Sequence, residues 1–155
     1  MISDGEGPSV EFKSTLRKNL YTNSFDKQME HSVLKTINAY LNTIGGSLLI
    51  GVSDKKEILG LDADQFDSHD HAHRHLVQLI HDHLGAEFLP FIRTQIVYLD
   101  GKPLMLVECK KGDKESFLKQ GRDEFFYVRQ GSLTKPLSGS ELLRYIEGTF
   151  RNKEK

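Results

Sequence analysis

The sequence predicts an α+β fold, with a mixed, mostly antiparallel sheet built from hairpins and about three flanking helices. Three observations lead to this prediction. Apolar residues recur at spacings of three and four in separate segments, as amphipathic helices require. Short runs of strand-forming residues lie between these segments. Asp100-Gly101 divides two such runs, which is a strong hairpin signal.

The first predicted element is a strand over residues 8–16. Val10 and Phe12 would face one side of a sheet, with Glu11 and Lys13 on the other, because side chains alternate along a strand. A polar, turn-rich stretch follows this strand and leads to the first helix.

That helix should begin at an N-cap on Asn23 or Ser24 and run to about Leu41. Glycines at positions 45 and 46 end it. Residues 46–54 then form a near-continuous apolar strand, which indicates burial on both faces. The letters "ILGL" after the next turn predict a short returning strand.

The second half of the chain predicts two more helices and further hairpins. Residues 67–84 have a helical apolar pattern, and the Asp-Gly hairpin follows. Another pair of strands, "SFLK" and "EFFYVRQG", surrounds Gly121. A final helix is capped by Ser138 or Ser140.

Composition bounds the class of protein. The 155 residues suit one domain over 1–155, and 37% hydrophobic with 28% charged residues indicates a soluble globular chain. No apolar run is long enough for a membrane span, and no secretory signal is visible. Cys109, the single cysteine, lies in an apolar stretch and predicts a core position in a cytoplasmic protein. Net charge is −1, so any nucleic-acid surface must be a local basic patch.

Two carboxylates near the chain start are the first functional candidates. Glu6 and Glu11 would lie apart on an unbroken strand, but a kink at Gly7-Pro8 could fold Glu6 back toward Glu11. Close carboxylates raise each other's pKa unless a cation sits between them, and Mg²⁺ or Mn²⁺ favours such oxygen ligands. The alternative is a pair of solvated acids near a terminus.

Asp54 follows the apolar strand "GSLLIGVSD" at a strand end, where sheet proteins often present functional side chains. The alternative is an aspartate that only forms the turn. Gly45-Gly46 offers a weaker third interpretation, nucleotide binding at the turn. A P-loop is not favoured, because the glycines precede a strand and no Gly-Lys-Ser/Thr follows.

Two other stretches have a possible binding chemistry. Six of the seven histidines fall within residues 69–83, where pairs at i,i+4 spacing could chelate a metal. The alternative is that these histidines only form a polar helix face. In "EFFYVRQGSLTKPL", Tyr127 and Arg129 share one strand face and could stack a base and contact a phosphate. The alternative there is an ordinary half-buried strand.

Four stretches, in this order, resemble the Schlafen-type AlbA domain. They are "EGPSVEFKS", "INAYLNTIGGSLLIGVSDKKEILGL", "LDGKPLMLVECKKG" and "FFYVRQGSLTKPL", and the resemblance extends from Glu6 to about Phe150. Vertebrate Schlafen proteins of this kind include metal-dependent endoribonucleases. Their acidic triad corresponds to Glu6, Glu11 and Asp54 here. The resemblance therefore implies a nucleic-acid-binding domain with these three acids as ligands of Mg²⁺ or Mn²⁺.

On this hypothesis the chain cuts structured RNA such as tRNA, and Lys13 offsets charge on the scissile phosphate. The expected nucleic-acid contacts are Arg17, Lys18, Tyr127, Arg129 and Lys135. The vertebrate nucleases have two such lobes, so a homodimer could supply the second lobe here. The alternative is a DNA-binding module of a transcriptional regulator, without chemistry, because many bacterial relatives carry this domain beside a winged-helix segment.

Overall fold

The computed structural model describes residues 2–151 and is built around one four-stranded sheet. Ten strands form in all within this part of the chain. They are β1 Val10–Lys13, β2 Lys18–Asn19, β3 Ser24–Phe25, β4 Gly46–Ile50, β5 Ile92–Leu99, β6 Lys102–Cys109, β7 Leu118–Gln120, β8 Asp123–Phe125, β9 Tyr127–Gln130 and β10 Leu133–Pro136. The α-helices are α1 Lys27–Asn42, α2 His69–His83 and α3 Gly139–Ile146.

The central sheet has the strand order β1-β4-β6-β5. β1 pairs with β4 in parallel, whereas β4-β6 and β5-β6 are antiparallel. The other strands form three separate two-stranded hairpins, β2-β3, β7-β8 and β9-β10. This arrangement confirms the predicted α+β class with a mostly antiparallel, hairpin-built sheet.

Strand β4 is buried on both faces, as its continuous apolar sequence predicted. Leu48 and Ile50 belong to the main core, which α1 and α2 cover, whereas Leu49 joins a smaller cluster on the opposite face with Phe12. Cys109 is a buried free cysteine of the main core, which confirms the predicted core position. Among residues 2–151, no helix combines the length and apolar composition required to cross a membrane.

A third apolar cluster joins the β9-β10 hairpin to the C-terminal helix. Phe126, Val128, Leu137 and Phe150 form its buried centre, and side chains of α3 pack against them. The cluster attaches both elements to the rest of the fold, because β9 also contacts α1.

Two local predictions for the first half of the chain need correction. Helix α1 begins after Asp26, whose side chain accepts a hydrogen bond from the Gln28 N–H. Ser24 instead pairs within the β2-β3 hairpin, and Asn23 takes a positive φ of 56° in its turn. The returning strand "ILGL" is reduced to a single bridge at Ile58. The cap was misplaced because several side chains of this polar stretch are suitable N-caps.

The strand pair expected around Gly121 is two hairpins rather than one. β7 pairs only with β8, and the chain then breaks at Phe126 before β9 pairs with β10. Phe126 is buried in the third cluster, so the ladder is interrupted where this ring turns inward.

The paired glycines after α1 are required by close packing. A Cβ on Gly45 would lie 2.5 Å from the Cys109 carbonyl oxygen, and one on Gly46 would lie 2.5 Å from the Tyr40 ring. Both contacts are far inside van der Waals distance. The glycines thus allow the end of α1 and the end of β6 to approach, which accounts for them without a bound phosphate.

We expect Gly46→Ala to lower the free energy of unfolding by about 1–3 kcal/mol, because the buried Tyr40 ring must move. Urea denaturation measures the change. Gly148→Ala is the matched control, since a Cβ there meets nothing within 4 Å. Equal stability of the two variants would contradict the packing explanation.

Candidate acidic site and nucleic-acid interface

The chain reverses at Gly7-Pro8 and brings Glu6 back over the start of β1. The Gly7 N–H donates to the Val10 carbonyl at 3.0 Å, which closes the turn. The Glu6 carboxylate accepts a hydrogen bond of 2.9 Å from the Phe12 N–H. The kink expected from Gly7-Pro8 therefore forms, and it places Glu6 beside Glu11.

The two carboxylates interact electrostatically. Partial burial raises the pKa of Glu6, and the nearby negative charge and hydrogen bond of Glu11 raise it further. The Phe12 N–H and the Lys13 ammonium act in the opposite direction. Glu6 is exposed, so its carboxylate is open to solvent beside the largely buried Glu11, whose side chain is 14% exposed.

Glu11 is also bonded to Arg129, across the length of the chain. The Arg129 Nη2 lies 2.7 Å from Glu11 Oε1, and it also donates to the Gly7 carbonyl at 2.8 Å. The Arg129 side chain is only 2% exposed, and its Nη1 donates to the Thr134 hydroxyl. The guanidinium thus ties the N-terminal turn and β1 to the β9-β10 hairpin. We call this contact the Glu11–Arg129 bridge.

Lys13 lies on the same face of β1 as Glu11. Its Nζ is 3.5 Å from Glu11 Oε2 and donates a 2.7 Å hydrogen bond to the Ser32 hydroxyl on α1. Glu6, Glu11 and Lys13 are therefore brought together as one cluster at the edge strand of the sheet.

Asp54 lies in a neighbouring groove, which we call the Asp54 groove. It is exposed at the turn after β4, and the groove has a volume of about 470 Å³. Ser14, Thr15, Met29, Ser53 and Lys55 also line it. Ser14 and Thr15 directly follow the β1 cluster in the chain. Within residues 2–151, no group of three or more histidine, cysteine or acidic side chains is arranged to hold a metal ion.

Arg17 and Lys18 are bound within the protein by Asp64. The buried Asp64 carboxylate accepts the backbone N–H groups of Leu16, Arg17 and Lys18 at 2.7, 2.8 and 2.9 Å. The Lys18 Nζ donates to the Gln65 side chain at 3.2 Å, and Lys18 is only 9% exposed. We call this set of contacts the Asp64 clamp.

The Arg17 guanidinium is held between two aromatic rings. Its centre lies 4.1 Å from the Phe25 ring centroid and 4.0 Å from that of Phe66. Its Nε also donates to the Asp64 carbonyl. These contacts fix the β2-β3 hairpin against the 62–66 segment, by cation–π attraction as well as hydrogen bonds.

Tyr127 and Lys135 lie on the same β9-β10 hairpin as Arg129. Tyr127 is 7% exposed and packs in the main core, where burial raises its pKa. Lys135 is half-exposed on β10 and pairs with Glu141 at 3.5 Å. Of the expected nucleic-acid contacts on this hairpin, Lys135 is thus the accessible one.

The histidines of α2 make separate local contacts. His75 Nε2 lies 2.6 Å from the Glu30 carboxylate, and His71 Nδ1 lies 3.6 Å from that of Asp67. His73 is hydrogen-bonded to the Thr94 hydroxyl. These partners are those of a polar helix face that packs against its neighbours.

Sequence reasoning missed several residues that hold the site in place. Asn38 and Asn42 are fully buried on α1 and bond the backbone of Ser116 and Tyr127. Their i,i+4 spacing inside an apolar helix face was a usable signal, because a buried amide needs partners. Ser32 and Asp64 had no such local signal, since their partners are distant in the sequence.

Comparison with solved structures identifies proteins of similar fold. The DIP2311 protein from Corynebacterium diphtheriae superposes with a TM-score of 0.63 at 16% identity, over 92% of this chain. This chain spans 24% of that protein's length. The N-terminal domain of an ATP-dependent DNA helicase RecG-related protein from Nitrosomonas europaea superposes with a TM-score of 0.50 at 20% identity. That match covers 85% of this chain and 78% of the other.

The sequence itself matches a family over most of its length. Residues 6–138 match the family described as Schlafen, AlbA_2. The matched segment begins at Glu6 and includes the acidic cluster, the Asp54 groove, the Asp64 clamp and the β9-β10 hairpin. This chain, with its hairpin-built sheet and paired N-terminal glutamates, belongs to the Schlafen AlbA_2 family.

Proposed function

We propose that this chain is a nucleic-acid-binding domain whose acidic cluster serves divalent-metal-dependent cleavage of RNA. The family and the fold shared with a DNA helicase RecG-related protein support a role connected with nucleic acid. The observation that carries the catalytic part is the exposed Glu6 carboxylate beside Glu11 and Lys13, because adjacent carboxylates are typical cation ligands.

The residues of the cluster fit Mg²⁺ or Mn²⁺ in ligand type. Both acids offer carboxylate oxygens. Burial, and then the charge of Glu11, raise the pKa of Glu6, and a cation between the two acids would offset that charge. Asp54, the expected third ligand, lines the Asp54 groove, and among residues 2–151 it is not grouped with Glu6 and Glu11 as a metal site. A bound ion would supply activation of the attacking oxygen and neutralise charge on the phosphate.

The protein's own groups have positioning roles in this proposal. Ser32 holds the Lys13 ammonium, which can offset phosphate charge beside the acids. The Glu11–Arg129 bridge fixes the backbone that presents Glu11. Lys135 lies at an accessible position where it can contact the nucleic-acid backbone, so affinity should fall as salt rises.

The test incubates the purified chain with end-labelled tRNA or duplex DNA, in Mn²⁺, Mg²⁺ or EDTA. We expect metal-dependent cutting of the RNA that falls to the EDTA level in Glu6→Gln and Asp54→Asn. Glutamine keeps an oxygen able to accept the Phe12 N–H, so the fold is preserved. Asp123→Asn, on the exposed β8 edge, is the matched control and should cut normally. Cutting that survives in both test variants would refute the catalytic proposal.

The Glu11–Arg129 bridge favours a second candidate, a DNA-binding module without chemistry. A buried guanidinium already neutralises Glu11, which is the arrangement expected of a structural acid. In that case the protein slows the migration of nucleic acid in a gel but does not cut it. Binding weakens as salt rises, and EDTA has no effect. Binding that is equal in Glu6→Gln, Asp54→Asn and the unaltered chain would identify this candidate.

A further inference from the structure

The β2-β3 hairpin presents large apolar side chains to solvent. Tyr21 at its tip is 100% exposed, and its neighbours Leu20 and Phe25 are 50% and 52% exposed. Aromatic rings usually bury much of their surface, so a fully exposed ring in a structured hairpin points to a binding role.

The tip of this hairpin is a well-defined turn. The Asn19 side-chain oxygen accepts the N–H groups of Tyr21 and Thr22 at 2.9 and 3.2 Å. The Asn23 N–H donates to the Asn19 carbonyl at 2.8 Å, and the Asp64 clamp holds the base of the hairpin. Tyr21 is thus presented from a fixed backbone, which lowers the entropy lost when a ligand binds.

Tyr21 also lines the Asp54 groove. Lys55 and Ser14, which carry an ammonium and a hydroxyl, line the same groove. The carboxylates of Asp54 and Glu57 also line the groove, so the groove is not positively charged overall. Attraction of a nucleic acid by net charge alone is therefore not the argument for this groove. An aromatic face beside a cation and hydrogen-bonding groups is the combination that nucleotides require.

We propose that the Asp54 groove binds an unpaired nucleotide whose base stacks on Tyr21 and whose phosphate contacts Lys55. The proposal rests on the proposed nucleic-acid function and narrows its ligand to single-stranded segments. Bases within a duplex already stack on their neighbours, so a ring at a hairpin tip reaches only bases that are splayed out. Stacking tolerates any base, so the groove selects unpaired structure rather than sequence.

A tryptophan reporter tests the contact directly. The chain contains no tryptophan, so Tyr21→Trp introduces the only indole. Its fluorescence should be quenched, saturably, by a ten-nucleotide oligouridylate, and not by a blunt RNA duplex of the same length. Tyr98→Trp is the matched control, because Tyr98 is 62% exposed on the separate β5-β6 hairpin and should not respond. A ten-nucleotide oligothymidylate distinguishes RNA from DNA strands.

Affinity measurements provide the second readout. Tyr21→Ala should weaken single-strand binding about tenfold, Tyr21→Phe should retain it, and duplex binding should not change in either. If single strands bind equally to Tyr21→Ala, and the position-21 indole does not respond, the stacking proposal is wrong and the proposed function stands. If no nucleic acid binds to any form of the chain, both are wrong.

Discussion

Arg129→Met should lower the free energy of unfolding by about 3–5 kcal/mol, because it leaves the Glu11 carboxylate without its main cation. The guanidinium is 2% exposed and lies 2.7 Å from Glu11. Methionine also removes the donor to the Gly7 and Val10 carbonyls, which are part of the N-terminal turn. The remaining partner of Glu11, Lys13, lies farther away at 3.5 Å.

Urea denaturation measures this loss, and two further variants make it interpretable. Lys135→Met removes a half-exposed cation on the neighbouring strand and should cost less than about 0.5 kcal/mol. Glu11→Gln combined with Arg129→Met should cost less than the sum of the single changes, because no buried charge is left unpaired. Additive costs, or a stable Arg129→Met chain, would show that the bridge contributes little.

We expect the second large effect from Asn42→Leu, at about 2–5 kcal/mol. Asn42 is fully buried, accepts the Ser116 N–H at 2.9 Å and donates to the Tyr127 carbonyl at 3.0 Å. Leucine has a similar size but no polar atom, so the Ser116 N–H and the Tyr127 carbonyl both lose this partner. Each buried backbone group left unpaired costs about 1–3 kcal/mol.

Hydrogen exchange separates this explanation from a simple packing defect. The Ser116 amide should exchange faster in Asn42→Leu than in the unaltered chain, relative to amides of the central sheet. Gln78→Leu is the control, because that amide is exposed on α2 and bonds only the side chain of Asp82 among the described residues. Unchanged protection at Ser116 would mean that another group has replaced the asparagine.

Local patterns predicted the regular elements and part of the site. The β5-β6 hairpin was predictable because Asp100 and Gly101 take positive φ angles of 52° and 73°, as an Asp-Gly turn requires. The approach of Glu6 to Glu11 was also predictable from a local turn signal, the Gly7-Pro8 pair. The turn that causes it lies between the two residues, so short-range backbone preferences decide it.

Long-range pairings were not predictable in this way. Arg129 had the pattern of a residue facing nucleic acid, yet its guanidinium lies inside the protein on an acid 118 residues away. Arg17 and Lys18 are similarly held by Asp64, 47 and 46 residues later. Charge patterns along one segment do not reveal such partners, because the partner's position depends on the whole fold. Tyr21 was overlooked for the opposite reason: its two-residue strands are too short to produce a periodic signal.

The Glu11–Arg129 bridge has a consequence for biosynthesis. A ribosome makes about 5–20 residues per second, so Arg129 leaves the synthetic machinery roughly 6–24 s after Glu11. During that interval β1 can pair with β4, but Glu11 lacks the buried Arg129 guanidinium. The outer edge of β1 is then not yet fixed by the β9-β10 hairpin. Nascent chains that stop before position 129 therefore hold the segment around Glu11 less tightly, and this segment is secured only after Arg129 has been made.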